Sequence, residues 1–359
     1  MLTVADLIEE LEGIAPPYMA DAGDRIGLQV GDPDSHVRRV CVSVDASSPV
    51  IDEAIERKAD LLVSHHPLIY PSLETVTTDP VAKNVAKLIR ANAALFVMHT
   101  NYDTVPGGVN DALASKLGVV GCEPLTTRYS DPIFKIVVFV PREAVEQVRD
   151  AMADAGAGVI GQYSRCSFRS EGTGTFVPLP GSQPYIGTTG KLEEIQEYRI
   201  EMLCAGSQVK GAVAAMLEKH PYDQVAYDLY QLANEPIKYG YGRVGSLEEP
   251  MSLGAFLERV KTSLEMPYAR AWGDLEKSIK RVAFCSGGAS LHYTEAAQVG
   301  ADVYITGDTK HHEVLDALDR GLAMINAGHF ETEKPGMVAL AERLEKTYAG
   351  SEVEIEYVE

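Results

Sequence analysis

The chain has 359 residues and a mass of 38.9 kDa, a length typical of about two domains. Its 52 acidic and 32 basic side chains give a net charge of −20, which repels phosphate backbones and anionic lipid surfaces. The composition therefore argues against general nucleic-acid binding and against a peripheral membrane role.

The sequence also lacks the signals of a secreted or membrane protein. No run approaches the roughly 18 apolar residues of a membrane span, and the opening segment resembles an amphipathic helix capped by Thr3 rather than a secretory signal. The five cysteines are scattered and include no C-x-x-C pair. This cysteine usage predicts a reducing, cytoplasmic location and no disulfide framework or zinc ribbon.

The first third of the chain alternates short apolar strands with helices. This alternation predicts a buried, largely parallel sheet of an α/β fold. The predicted strands span residues 39–44, 61–64 and 94–98, and the predicted helices span residues 49–58, 79–91 and 110–117.

The middle of the chain, residues 132–232, departs from this pattern. Its predicted order is β-α-β-β-α-β, with strands at 134–140, in the Gly/Ser/Pro-rich region 163–186, at 200–204 and at 224–229, and helices at 142–155 and 208–219. This order predicts an inserted ferredoxin-like α+β module.

The last third repeats the order of the first. Arg39-Val40 aligns with Arg281-Val282, and Ala59-Asp60 aligns with Ala301-Asp302, in one register at an offset of about 242 residues. Units of the βαβ type resemble one another by composition alone, but shared identities in one register favour a true repeat. We therefore predict two pseudo-repeated α/β lobes, residues 1–128 and 239–359, that form one domain around an insert at 129–238.

Histidines follow three of the predicted strands. His65 and His66 come after the strand at 61–64, His99 after that at 94–98, and His329 after that at 323–326. Asp103 lies four residues after His99, and Glu333 lies four residues after His329, each pair preceding a predicted helix (110–117 or 337–346). Because ligands collect at the carboxyl ends of parallel strands, these groups are expected to converge on one cleft.

Imidazole and carboxylate ligands suit zinc, iron(II), manganese or nickel. Four histidines and two carboxylates exceed the needs of one tetrahedral ion but would serve two, with Asp103 and Glu333 as candidate bridges. Two such ions would lower the pKa of a water molecule between them and so suit hydrolysis.

Simpler interpretations compete with this one. A single strand-end histidine is usually structural, and neighbours such as His65 and His66 point to opposite faces of a regular strand unless Pro67 breaks it. At the start of the 312–320 helix, His312 is a candidate to line the site and His311 is expected to be exposed. A structural or surface role is expected for the remaining histidines, His36, His220 and His292.

Several segments together resemble the GTP cyclohydrolase 1 type 2 homologue family, the NIF-three-like dinuclear-metal proteins: GLQVGDP, LLVSHHPLIY, HTNYDTVPGGVNDALA, ITGDTKHHEV and GHFETEKPG. The resemblance covers both outer thirds, and the insert resembles the PII/CutA-like module of the longer members. It implies two metal ions on His65, His66, Asp103, His329 and Glu333, with His99 on or beside the site, and a toroidal homohexamer. One departure is the Gly23-Asp24-Arg25 segment, where many members have Trp-Asp-Asn.

The resemblance also implies hydrolytic opening of the guanine ring of GTP. Lys310 and Lys334 flank the site motifs and could bind a triphosphate, although both also fit as solvated surface lysines. Three functions stay open: a dinuclear metallohydrolase acting on a nucleotide or related small molecule, a two-metal phosphoesterase, and a non-enzymatic metal-binding or regulatory assembly.

Overall fold

The computed structural model of the chain describes residues 2–161 and 163–359. The chain divides into two compact units. One, here called the outer unit, combines the residues up to Tyr129 with Tyr239–Glu359, and the other, the inserted unit, is Ser130–Lys238. In the described ranges we find no helix with the length and apolar character that a bilayer crossing requires.

The elements of the first part of the outer unit alternate much as predicted. The helices are α1 (Val4–Ile14), α2 (Ser48–Glu56), α3 (Pro80–Ala91), α4 (Thr100–Thr104) and α5 (Val109–Leu117), and the strands are β1 (Gly27–Val30), β2 (Arg39–Ser43), β3 (Leu61–Ser64), β4 (Ala94–Val97) and β5 (Val119–Pro124). The predicted cap of α1 is confirmed, because the Thr3 hydroxyl accepts from the Asp6 N–H and the Asp6 carboxylate accepts from the Thr3 N–H.

The inserted unit is built on a four-stranded antiparallel sheet. Short strands β6 (Tyr129–Asp131) and β11 (Ile237–Tyr239) pair where the chain enters and leaves it, and its own elements are β7 (Ile133–Pro141), α6 (Val145–Asp154), β8 (Phe168–Phe176), β9 (Glu193–Ala205), α7 (Gly206–Lys219) and β10 (Tyr227–Gln231). The sheet order is β10-β7-β9-β8, with every neighbouring pair antiparallel. Helices α6 and α7 cover one face through a core that includes Ile136, Val138, Ile200 and Met202.

Two strands in the inserted unit, β8 and β9, differ most from the sequence expectation. The strand expected within 163–186 spans only Phe168–Phe176, because Pro178, Pro180 and Pro184 lack the N–H that a sheet ladder needs. Strand β9 begins at Glu193 rather than at residue 200. Its first half is polar and pairs with the exposed strand β8, so hydrophobicity did not reveal it.

The remaining elements complete the outer unit. They are β12 (Arg243–Ser252), α8 (Leu253–Ser263), β13 (Arg270–Trp272), β14 (Ser278–Cys285), α9 (Tyr293–Gln298), β15 (Val303–Thr306), α10 (His311–Asp319), β16 (Ala323–Asn326), α11 (His329–Thr347) and β17 (Glu354–Tyr357).

The outer unit contains two larger sheets of similar design. Their orders are β1-β4-β3-β2-β17 and β13-β16-β15-β14-β12-β5. In each sheet three parallel strands (β2, β3 and β4, or β14, β15 and β16) carry an antiparallel edge strand, β1 or β13. Each sheet also takes a strand from the other end of the chain, because β17 pairs with β2 and β5 pairs with β12. The chain is thus a mixed α/β protein, as predicted.

Helices cover both faces of each sheet. In the first sheet, α1 and α11 contribute Leu7, Leu11 and Leu340 to one core, and α2 and α3 pack on the opposite face around Ile51 and Leu88. Helices α5 and α11 come close at Gly336, where a Cβ atom would lie 2.7 Å from the Val109 Cα atom. This close packing brings the ends of the two parallel strand sets to one region of the outer unit.

Candidate metal centre

The site lies at the carboxyl ends of the parallel strands of both sheets. His65 and His66 follow β3, His99 follows β4, and His329 begins α11 three residues after β16 ends. Strand β3 ends at Ser64 and the chain bends at His65 and His66, and both neighbouring histidines approach Glu333. The cleft is therefore formed by segments more than 200 residues apart in sequence.

The second histidine–carboxylate pair lies within a helix rather than before it. The expectation that this helix spans 337–346 is wrong, since α11 begins at His329. His329 and Glu333 are separated by one helical turn, so their side chains lie on the same face. The positive φ of Gly328 (+83°) lets the chain turn directly from β16 into this helix. Similarly, Asp103 lies in α4, and His99 is its N-cap residue.

The Glu333 carboxylate is the centre of the cluster. Its Oε1 atom lies 3.2 Å from His329 Nε2 and 3.7 Å from His65 Nε2, and its Oε2 atom lies 3.3 Å from His66 Nε2. Asp103 Oδ1 lies 3.7 Å from the same His65 Nε2 atom. The His99 ring centroid is 5.2 Å from that of His65 and 5.5 Å from that of His66. The structure thus brings together all six residues selected from the sequence.

Each histidine of the cluster has its Nδ1 atom engaged outside it. The partners are the Met98 carbonyl for His65 (2.8 Å), Asp45 for His66 (2.8 Å), Asp24 for His99 (2.9 Å) and Asp308 for His329 (2.7 Å). An N–H at Nδ1 that donates to these oxygens fixes the neutral tautomer whose Nε2 atom carries a lone pair. Metal-binding histidines in proteins have this arrangement of outer partners.

Two buried polar atoms of the cluster have no hydrogen-bond partner among the described residues. They are His65 Nε2 and Glu333 Oε2, although both residues are almost fully buried. An unpaired buried polar atom is costly, so such atoms usually face a ligand. In two groups of three residues, the candidate ligand atoms all lie within 4.8 Å of one another, close enough to bind one ion. The first group is His65, His66 and His99, and the second is His66, His329 and Glu333. These residues could hold a metal ion.

Charge in the cluster also suits a cation. Burial disfavours a charged Glu333, but His65, His329 and His66 outweigh that effect and hold the pKa of the carboxyl well below its usual range. Burial also opposes charge on His66, but the nearby Asp45 and Glu333 carboxylates raise its pKa to about 10, so an ion bound at Nε2 would displace a proton. Burial raises the pKa of Asp103. Positive charge around Glu333 therefore holds it as a carboxylate, whereas burial disfavours charge on Asp103.

One glycine, Gly287, leaves the space that the Glu333 carboxylate occupies. A Cβ atom at Gly287 would collide with Glu333 Oε1, and the φ of this residue is +63°. The Gly287 N–H donates to Thr332 Oγ1 (3.0 Å), so it serves this packing. The Gly287-Gly288 segment is therefore a turn that makes room for the carboxylate.

A cavity of about 540 Å³ opens beside the cluster. Its walls include the rings of Tyr70, Tyr241 and His292, and Asp103, Glu333 and His329 lie at one side. Cys285 also lines it, but burial raises the pKa of this thiol, which keeps it protonated and a poor nucleophile. The volume is in the range of small-molecule sites.

Other predicted candidates lie away from this cavity. His311 and His312 are both exposed at the start of α10, so the expectation for His311 agrees with the structure, and His312 is not among the described residues that line the cavity. Lys310 lies near Glu313 (3.4 Å), and Lys334 pairs with Glu359 (2.8 Å). Neither lysine lines the cavity. His292, expected to be structural, does line it.

The sequence reasoning missed the three aspartates that orient the imidazoles. Asp45 and Asp308 each lie two residues beyond a parallel strand, β2 or β15, at the same sheet edge as the histidines. That position is a signal that could have identified them. Asp24 belongs to the Gly23-Asp24-Arg25 departure noted above, and it also accepts hydrogen bonds from the Thr100 N–H and hydroxyl.

Comparison with known proteins places these features in a family. The model for Duf34/NIF3 (NGG1p interacting factor 3) matches residues 2–359. The chain is 42% identical over 325 residues to the GTP cyclohydrolase 1 type 2 homolog of Bacillus subtilis, covering 90% of this chain and 87% of that protein. It is 40% identical over 353 residues to the protein of the same name from Halalkalibacterium halodurans, with 98% and 95% covered.

A solved structure agrees with the sequence matches. The Bacillus cereus protein related to NIF3 superposes with a TM-score of 0.87 at 39% identity, over 100% of this chain and 97% of that one. The whole described chain, including the inserted unit, thus shares its fold with this protein. The chain belongs to the Duf34/NIF3 family.

Proposed function

We propose that this chain is a metal-dependent hydrolase that holds two divalent ions and acts on a nucleotide or a related small molecule. One observation carries the proposal: His65, His66 and His329, each fixed through Nδ1, direct Nε2 toward the buried Glu333 carboxylate beside an open cavity. A purely structural cluster would not need a cavity at its edge.

We propose His65, His66, Asp103, His329 and Glu333 as the ligands, with His99 as a sixth. The two candidate ligand sets overlap at His66, so two ions held in this cluster would be close neighbours, with His66 bound to one of them. Asp103 and Glu333 lie on either side of His65 Nε2, at 3.7 Å each, and are the proposed bridging groups. Zinc, iron, manganese and nickel all suit these ligand types.

The chemistry divides between the ions and the protein. When bound, a pair of divalent ions supplies Lewis acidity and lowers the pKa of water. The chain itself fixes the imidazole tautomers through Asp45, Asp24 and Asp308. The rings of Tyr70, Tyr241 and His292 offer flat surfaces to a bound molecule, and His292 brings an imidazole, a side chain often used for general acid–base chemistry, to the cavity wall.

The substrate is proposed from the relatives. Those named GTP cyclohydrolase 1 type 2 homolog suggest GTP as the first compound to test. None of the described residues that line the cavity is Lys or Arg, so a triphosphate would have to be bound through the ions or by groups outside the lining. The same observation favours a second candidate function, a regulatory metal-binding assembly without turnover.

The test is turnover by metal-loaded protein. GTP is incubated with the loaded protein and with protein stripped by a chelator, and formate and a fluorescent pterin-type product are measured. Product above the stripped control supports ring opening. Its absence, with turnover of a phosphate ester from a parallel panel, would instead identify a phosphoesterase. Absence of all turnover, with metal content that responds to a ligand, would leave the regulatory function.

We also propose an architecture for the long form of the family. The regions 1–128 and 239–359 would be two lobes of one pseudo-repeated domain, and the matching strand orders of the two large sheets support this. The region 129–238 would be a PII/CutA-like ferredoxin-like module, supported by the β-α-β-β-α-β order and the antiparallel sheet β10-β7-β9-β8.

Assembly and location are proposals of the same kind. We propose a homohexamer on the family resemblance, to be checked by the mass of the purified protein in solution. The five free cysteines support a reducing, cytoplasmic location.

A further inference from the structure

The inserted unit contains a second cavity, independent of the metal centre. Its volume is about 420 Å³, within the range of small-molecule sites. It lies on the sheet face opposite the helices, because the lining residue Phe139 on β7 alternates with Val138 and Val140, which pack toward α6 and α7. The helices therefore take no part in covering it.

The connection between β8 and β9 covers this face. Residues 177–192 form a long segment between two neighbouring strands, and Pro178, Pro184, Tyr185 and Ile186 from it line the cavity. A direct hairpin would need only a few residues, and longer connections are commonly functional. The connection thus completes a pocket on a sheet that would otherwise be open.

The walls are aromatic and the charged groups are acidic. Phe139, Phe176, Tyr185 and Tyr222 line the pocket, and the Tyr185 and Tyr222 ring centroids are 6.0 Å apart. Glu197 and Asp223 also line it, whereas the described lining includes no Lys or Arg. The electrostatic field of such a pocket favours a cation and disfavours phosphates and other anions.

Two details show that the polar groups are built into the pocket. The Tyr222 hydroxyl is buried and makes no hydrogen bond within the described structure. Burial, and next the nearby Glu197, raises the pKa of this hydroxyl, so it remains a donor. Glu197 lies above Gly174, where a Cβ atom would collide with its Oε2 atom. The missing side chain at Gly174 leaves the space in which this carboxylate faces the pocket.

We propose that this pocket binds a small aromatic amine. The ring would pack against Tyr185 and Tyr222, and its ammonium group would pair with Glu197, with Asp223 nearby. The site would make the inserted unit a sensor of a cationic ligand rather than of a nucleotide.

Calorimetric titration of the full-length protein with tryptamine tests the proposal. We expect saturable binding of one tryptamine per chain, and binding at least tenfold weaker for indole-3-propionate, which has a similar ring and the opposite charge. Glu197→Gln should weaken tryptamine binding at least tenfold. Glu218→Gln, which removes an exposed carboxylate on α7, should leave it unchanged.

Several results would overturn the proposal. They are equal affinity for tryptamine and indole-3-propionate, unchanged affinity in Glu197→Gln, and the absence of saturable binding to folded protein. If Glu197→Gln does not fold by circular dichroism, Asp223→Asn on the exposed side of the pocket supplies the same comparison. Loss of binding as protein concentration rises would show that a second copy covers the pocket, which also excludes the proposal.

Discussion

Arg243 and Asp111 form a two-pronged ion pair that joins the two halves of the outer unit. Arg243 Nε lies 2.6 Å from Asp111 Oδ1, and Nη2 lies 3.0 Å from Oδ2. The remaining guanidinium N–H groups donate to the carbonyls of Gly240, Gly242 and Val105. Asp111 lies on α5 and Arg243 begins β12, so the pair connects segments on either side of the inserted unit.

Asp111→Asn should lower the free energy of unfolding, because it leaves the buried guanidinium without its counter-charge. We expect a loss of about 3 kcal/mol, the lower end of the range for a buried ion pair that loses one partner. Arg243 is only 3% exposed, whereas Asp111 is partly exposed, which moderates the loss. Urea unfolding of the two proteins measures the difference. Asp34→Asn, at an exposed position, is the control and should have no comparable effect.

Gly287→Ala should reduce metal content without unfolding the protein. The added Cβ atom would push Glu333 Oε1 away from the imidazoles. Gly300→Ala is a matched control, since Gly300 also has a positive φ (+71°) but has open space around its Cβ position. Elemental analysis and thermal unfolding of both variants separate the effect of the clash with Glu333 from the cost of placing alanine at a positive φ. Equal metal loss in both would show that strain, not Glu333, is responsible.

Glu333→Ala should lose both ions, because Glu333 is a proposed bridging ligand and its carboxylate would bind both of them. The measurement is metal per chain in purified protein. Glu345→Ala, an exposed change on the same helix, should keep the full content. A Glu333→Ala protein with a full metal complement would contradict the bridging role.

Asp308→Ala should weaken metal binding about tenfold, in line with removal of other partners of metal-binding histidines. Without the carboxylate, His329 Nδ1 loses its 2.7 Å partner, and the ring is free to rotate or to change tautomer. Competition with a chelator of known affinity measures the change. Asp319→Ala, at the exposed end of α10, is the comparison variant, and equal affinities would argue against the orienting role.

The free energy of unfolding should decrease as the pH is lowered, because of His220 in the inserted unit. Its Nε2 atom contacts the Phe139 carbonyl oxygen (2.9 Å), and its Nδ1 atom accepts from the Tyr222 N–H (3.1 Å), so the ring is held neutral. Burial lowers the pKa of His220 below its ordinary value of 6.5. The unfolded chain therefore binds the proton more tightly, and stability is lost as the pH falls from 6.5 toward the lowered folded value.

The variant His220→Gln isolates this contribution from the other histidines. Thermal unfolding of both proteins at pH 7.5 and pH 5.5 should show a smaller loss in the variant. A loss of the same size in both proteins would assign the pH dependence to other groups.

Local patterns explain why so much of the outer unit could be predicted. Strands β3 and β16 have the predicted bounds, because short apolar runs between helices have few alternatives to a buried parallel strand. The position of His65, His66, His99 and His329 at strand ends follows from the same order. Polar strands and helix starts were less predictable. The predicted strand 200–204 covers only part of β9, and the predicted helix 337–346 begins eight residues after the start of α11.

The sequence by itself determined the α/β class, the family and the six residues of the candidate site, because these depend on residue types and on spacing along the chain. The tertiary structure alone decided which oxygen holds each imidazole, that Gly287 makes room for Glu333, and that β5 and β17 join the opposite sheets. Those features depend on contacts between segments tens to hundreds of residues apart. Such contacts form only when the sheets pack, so no local pattern encodes them.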